Sequence, residues 1–225
     1  MTHYKCLSTG RVTPYVHVTW PVRARQWTEP ATPKLCQSGW HLATEIGLSL
    51  HLVVGELWTA EGRGACACTW DKISFEQARL CTRVGTVTPS KLRHLMLDFA
   101  EHVLWAWERA YPCDGRPRRA IEAARGYMEV DGDATDRRAL VLAAADAAYA
   151  AAYAAGYTAG AYAAAVAIGY ATTYAAGGDF ENVAAASYAA AVAAATVPFS
   201  TAYTAAQAEE RAWQCSRIIE VVGAR

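Results

Sequence analysis

The chain has 225 residues, enough for one large domain or two small ones, and its 53% hydrophobic and 19% charged residues are a globular composition. Lys plus Arg is 21 and Asp plus Glu is 21, so the net charge is zero. That balance excludes a generic binder of nucleic acid or anionic membrane, which needs a basic excess to displace counterions. Seven cysteines (6, 36, 66, 68, 81, 113, 215) are odd in number and scattered, unlike a disulfide-stapled secreted scaffold. The opening MTHYKCLSTGRVTPY has neither an apolar stretch nor a small-residue cleavage site, so a reducing, cytoplasmic setting is expected.

Composition then splits the chain. Residues 1–138 carry 18 basic and 15 acidic side chains, and residues 139–225 carry 3 and 6. From Val141 to Ala208, 32 of 68 residues are alanine. The expected fold class is α+β, with a small β-rich domain over 1–88 followed by an alanine-rich all-helical bundle over 89–225.

In chain order, Tyr15–Trp20, Glu56–Glu61 and Ile73–Phe75 read as strands, rich in β-branched and aromatic residues between prolines and glycines. Glu61 followed by Gly62 reads as a strand running into a turn, and Ala43–Val54 as a short helix. Tryptophans 20, 27, 40, 58 and 70 are expected to supply the core of this half. From Pro89 the period becomes helical, with Leu92, Leu95, Met96, Phe99, Val103, Ala106 and Ala110 on one stripe to about residue 110. Tyr111 to Gly115 breaks that helix, and Pro117 suits the first turn of the next, which runs to Met128. Thr135 or Asp136 can cap a third helix.

Residues 137–176 are too long for one ordinary helix, and Gly156, Gly160 and Gly169 mark breaks or close crossings. Tyr149, Tyr153 and Tyr157 recur every four residues as one aromatic ridge. Gly177-Gly178 ends a helix, Asp179 caps the next, and Thr196-Val197-Pro198 ends that. Ser200 caps a last helix with the stripe Ala208, Ala212, Cys215, Ile219 and Val222. Residues 147–178 are 32 uncharged residues, yet of the residues that insert well they hold just Val166 and Ile168, and their six tyrosines form no belts. A membrane span is not expected.

The chemical motifs are weak. Asp131-x-Asp133-x-Thr135 has the spacing of a phosphoryl-transfer loop, but no apolar strand precedes it and no later lysine supports it. Cys66-x-Cys68, Cys36 and His41 could in principle hold zinc, without the paired spacing zinc sites use. No Ser-His-Asp or Cys-His set can be assembled. Neither catalysis, cofactor nor metal is therefore expected. Arg116, Arg118, Arg119 and Arg125 are the candidate partner-binding residues, because several guanidinium forks near a helix start suit carboxylates or phosphates. The competing reading pairs them with Asp98, Glu101 and Glu108 of the preceding helix.

The segment DFAEHVLWAWERAYPCDGRPRRAIEAARGYM at 98–128, with the alanine-rich tail behind it, resembles the immunity proteins of bacterial toxin systems. The resemblance covers about 89–222, is most specific over Pro117–Arg125, and departs around Cys113 and Gly115. It implies an all-helical, non-catalytic binding protein. Leu35-Cys36-x-Ser38-Gly39-Trp40-His41, Leu57-Trp58-x-x-Glu61-x-x-Gly64 and Asp71-Lys72 resemble a small domain of unknown function from phage and actinobacterial proteins. The expected partner is thus another protein, a toxin or a phage or host protein. The expected function is non-catalytic protein binding, as an immunity-like or phage-encoded accessory protein that can also form a homo-oligomer; the alternative is a structural component of a phage particle or other assembly.

Overall fold

A computed structural model describes residues 2–8, 10–13, 18–21, 23–129, 135–154, 159–177, 181–194 and 201–224. The strand at Tyr15–Trp20, the Asp131–Thr135 turn, Gly156, Tyr157, the caps at Thr135, Asp136, Asp179 and Ser200, and the ends at Gly178 and Thr196–Pro198 lie wholly or partly outside those residues. The architecture is α+β, an N-terminal antiparallel sheet of four strands followed by helices. Two compact units form, Met1–Leu92 with Arg211–Arg225, and Arg93–Glu210. Among the described residues no helix is long and apolar enough to cross a membrane.

The first unit is built on β1 (His3–Leu7), β2 (Trp40–Ala43), β3 (Gly55–Cys68) and β4 (Lys72–Val87), in the order β1-β2-β4-β3 and closed by pairing of β3 with β1. The strand expected to stop at Gly62 continues to Cys68. Gly62 leaves room for the Phe75 ring, Gly64 takes a positive φ at one of the register shifts, and the turn falls at Thr69 to Asp71 instead. The helix expected over Ala43–Val54 is a 3-10 turn, Glu45–Leu50, capped by the Thr44 hydroxyl accepting from the Gly47 N–H at 3.1 Å. Leu7, Trp20, Leu42, Trp58, Ala60, Ala78 and Leu80 form the core, with Trp40 and Phe75 packed on it.

Two of the five tryptophans depart from the expected role. Trp27 lies under the Arg63 and Arg79 guanidinium groups at 4.1 and 4.6 Å, and Trp70, 51% exposed, under Arg211 at 4.4 Å. The last turns of the chain carry a buried stripe of Glu210, Arg211, Gln214, Cys215, Ile218 and Val222, one that includes polar residues. It is rotated from the expected one, for Ala208 is exposed and Ala212 and Ile219 are half-buried. The close approach of Gly85 to the Val222 carbonyl, and the Lys91 ammonium donating to the carbonyls of Val222 and Ala224 at 3.1 and 3.0 Å, fix that end.

Three histidines of this unit share one bias. Desolvation lowers the pKa of His3, of His41 (whose Nε2 accepts the Cys36 N–H at 3.0 Å) and of His51, where it outweighs the bond to Asp71 at 2.9 Å. The fold therefore binds fewer protons than the unfolded chain. The stability they contribute is complete above pH 6.5 and is lost as pH falls through their lower folded values. Thermal melts at constant ionic strength should show Tm falling steadily from pH 7 to pH 5. A flat or rising Tm over that range would refute this.

The second unit contains α1 (Pro89–His102) from Arg93 onward, α2 (Leu104–Ala110), α3 (Arg116–Met128), α4 (Thr135–Ala154), α5 (Ala159–Ala175), α6 (Glu181–Ala194) and α7 (Thr201–Gly223) as far as Glu210. The helix expected to run unbroken from 89 to 110 is interrupted at Val103. Helix α4 ends at Ala154 and α5 begins at Ala159, so Gly160 and Gly169 sit inside α5. At its end Gly177 takes a positive φ, and the Arg138 Nε donates to the Ala176 carbonyl at 2.8 Å.

Helix α5 touches α2, α3, α4 and α6. Ala161, Ala164, Ala165, Ala167, Ile168, Ala171 and Thr172 are buried along it. A side chain added at Gly169 would lie 2.6 Å from the Tyr149 ring, which stands edge-on to Tyr170 at 5.6 Å. Of the expected tyrosine ridge, Tyr149 thus packs on α5, while Tyr153 is 73% exposed. Ala164→Leu and Gly169→Ala should each destabilise the protein by about 1–3 kcal/mol in urea melts, since neither site has room for added carbon.

Candidate partner-binding surface

The surface formed by α1, α2 and α3 holds the four arginines singled out in the sequence. Pro117, Ala120, Ile121 and Ala124 are the buried face of α3, so positions 118, 119 and 122 point outward. On α1 and α2 the buried residues Leu95, Phe99, Val103, Ala106 and Trp107 leave Glu101, Trp105 and Arg109 exposed. Trp107 anchors the turn between α2 and α3. Its indole N–H donates to the Asp114 carbonyl at 2.8 Å, and its ring packs on Tyr111 at 4.6 Å.

The arginines differ sharply in what they already hold. Arg116 grips Asp114 through Nε at 2.9 and 3.0 Å and through Nη2 at 2.5 Å. That pairing holds the Asp114 carboxyl below its usual range and raises Arg116. Arg118 bonds Glu108 at 2.6 Å, which raises its pKa. Arg125 donates to Asp98 at 3.0 Å and to Glu101 at 2.5 Å; partial burial opposes its charge, and the two carboxylates overcome that and raise it. Arg119 is exposed and forms no ion pair among the described residues, but its charge also helps to hold the Asp114 carboxyl down. Three of the four are therefore ion-paired within the fold, on the carboxylates of the competing reading and on Asp114.

Sequence reasoning passed over Trp105 and Arg109. The signal was present: both fall off the apolar stripe of this helix, one turn apart, where polar residues are expected. Trp105 is 43% exposed, and Arg109 has no side-chain partner among the described residues. Trp105 also stands one turn after Glu101 and one turn before Glu108, between the two ion pairs that join this row to α3. Elsewhere, Cys36, Cys66 and Cys68 are exposed free thiols, and no group of three His, Cys, Asp or Glu residues placed to hold a metal occurs among the described residues.

The family model of the Imm-5 like putative immunity protein matches residues 85–221. This chain belongs to that family. The match takes in α1 to α6, α7 as far as residue 221, and the end of β4. In this immunity family member residues 1–84 lie outside the match, and the likeness of residues 34–80 to a phage or actinobacterial domain finds no support there. Neither a curated protein nor a solved structure matches the chain.

The pairing pattern makes a measurable distinction. Arg125→Ala takes the guanidinium away from Asp98, 14% exposed at its side chain, and from Glu101, and should lower stability by about 1–2 kcal/mol. Arg118→Ala removes an exposed pair and should change it by less than about 1 kcal/mol. Equal effects of the two in urea melts would contradict this ranking.

Proposed function

We propose that this protein acts by non-catalytic protein binding as an immunity protein, capturing a toxin and holding it inactive. The match to the immunity family over residues 85–221 carries the reading. The partner is another protein, a toxin or a phage-encoded or host protein that plays that part, and the encounter takes place in the cytoplasm where an immunity protein shields its own cell. Residues 89–225 carry the activity as an alanine-rich helical bundle, and 1–88 form a separate β-rich domain. The arginine surface of α3, with Arg116, Arg118, Arg119 and Arg125, faces the partner. Closely packed alanine helices support the reading by giving that surface a rigid backing at little entropic cost.

Co-expression of the full chain with the toxin encoded beside its gene should restore growth, and the purified pair should elute as one discrete complex. Failure of both would remove the immunity reading. Open-ended self-assembly of the purified chain would favour a structural component instead.

A further inference from the structure

We propose that the strand-containing unit binds a nucleobase joined to a phosphate, the base in a cavity walled by Trp20, Trp27 and Trp40, the phosphate on the cations around it. Every residue of that site precedes residue 85, so the immunity segment has no part in it.

The cavity has a volume of about 570 Å³, within the roughly 300–1,000 Å³ of small-molecule sites. Trp20, Arg23, Gln26, Trp27, Glu29 and Trp40 are on its wall. The Trp20 and Trp40 rings stand at 79° with centroids 5.1 Å apart, so aromatic surface faces more than one direction. The Trp40 indole N–H is satisfied by the Glu29 carbonyl at 2.8 Å. The Trp20 indole N–H, on a residue 1% exposed, has no acceptor among the described residues. A buried donor left open in this way calls for an acceptor from outside the chain.

Charge sets the second condition. The zero net charge of the chain conceals two opposite units, this one with 13 basic and 7 acidic residues and the helical one with 8 and 14. The chain-wide balance that argues against a polyanion binder therefore does not describe this unit. On the wall, Arg23 and Glu29 cancel. Lys5 lies over the Trp20 ring at 5.5 Å, and Arg63 and Arg79 lie over Trp27 at 4.1 and 4.6 Å. Arg79 is paired with Glu61, and the Glu76 carboxylate accepts the Ala65 N–H. Lys5 donates to the His41 carbonyl and Arg63 to the Gln77 amide oxygen, so neither has a carboxylate partner among the described residues.

These terms narrow the ligand. A plain hydrocarbon leaves the Trp20 donor open, a cation meets Lys5 and Arg63, and an anion without a ring leaves the indole wall uncovered. A nucleobase with its phosphate supplies a flat face for the indoles, ring acceptors for the Trp20 N–H and the Gln26 amide, and negative charge for the guanidinium groups. A free nucleotide and an unpaired residue of a single strand both present that chemistry, whereas a duplex keeps its bases stacked inside.

The test titrates the full chain, by indole fluorescence and calorimetry, with the four nucleoside monophosphates, a mixed single strand of about 12 nucleotides and the matching duplex. Saturation by a monophosphate identifies a free nucleotide, and saturation by the single strand alone identifies the strand; either result supports the site. The corresponding nucleosides and ribose 5-phosphate should each bind at least about tenfold more weakly than the ligand so identified. Trp27→Ala, and separately Arg23→Glu with Arg63→Glu, should each weaken binding by about tenfold or more. The arginine variant should keep its Tm, because both side chains are exposed. In the wild-type chain, which needs no variant to fold, the Trp20 indole N–H resonance should shift as its proton gains an acceptor. No binding of any of these probes, a duplex bound as tightly as the single strand, or an unmoved Trp20 resonance with wild-type affinity in both variants would overturn the proposal.

Discussion

The size of the alanine side chain sets the terms for the helical unit. A buried methyl group removes little area from water, so helices made of it gain stability by lying close together over many positions. Helix α5 meets that condition, with Ala164, Ala165, Ala167 and Ala171 buried and α2, α3, α4 and α6 against it. Such contacts leave no slack. Gly169 is glycine because the Tyr149 ring occupies the space its side chain would take. Polar groups inside must be satisfied locally for the same reason, and Thr172 does so by donating to the carbonyls of Ile168 and Gly169 at 2.8 and 3.1 Å.

A tract with one charged residue between Arg138 and Asp179 cannot also supply directed recognition. Fixed charge gathers instead on α1, α2 and α3. There Arg116, Arg118 and Arg125 hold the surface together through their ion pairs. Had Arg118 and Arg125 been free, the helix would offer a broad field of charge with no preferred geometry. Paired, they act as fasteners that tie α3 to α1 and α2. His102 adds a further clasp within this unit, bonding the buried Glu210 at 2.7 Å.

Local pattern made much of this visible in the sequence. The apolar stripe from Leu92 to Ala106 (Ala110, expected to continue it, is exposed), the break before Pro117, and the end of α5 near Gly177 each depend on residues a few positions apart. What was hidden depends on distant partners. Gly62 and Gly64 look like turn residues until Phe75 and Glu76 are placed opposite them across the sheet. Arg211 and Glu210 interrupt the expected stripe of α7, yet are buried because Trp70 and His102, more than a hundred residues earlier, receive them. The arginine cluster is legible in the sequence as a group, but its pairing is a matter of which carboxylates α3 lies against. No spacing within α3 could decide that.

The limits of the family match have a structural reading of their own. The match begins at residue 85 and ends at residue 221. These two ends meet: Gly85 of β4 lies against the Val222 carbonyl of α7, at a distance no side chain would permit. Lys91, one turn into α1, donates to the carbonyls of Val222 and Ala224 and so satisfies acceptors that every helix C-terminus leaves open. The matched segment therefore starts and finishes at one fastening point, where the last strand of the sheet and the last turn of the chain hold each other. An immunity segment closed in this way includes a piece of the sheet as part of its own structure. That is why the last fifteen residues, for all their helical pattern, belong to the unit that contains the strands.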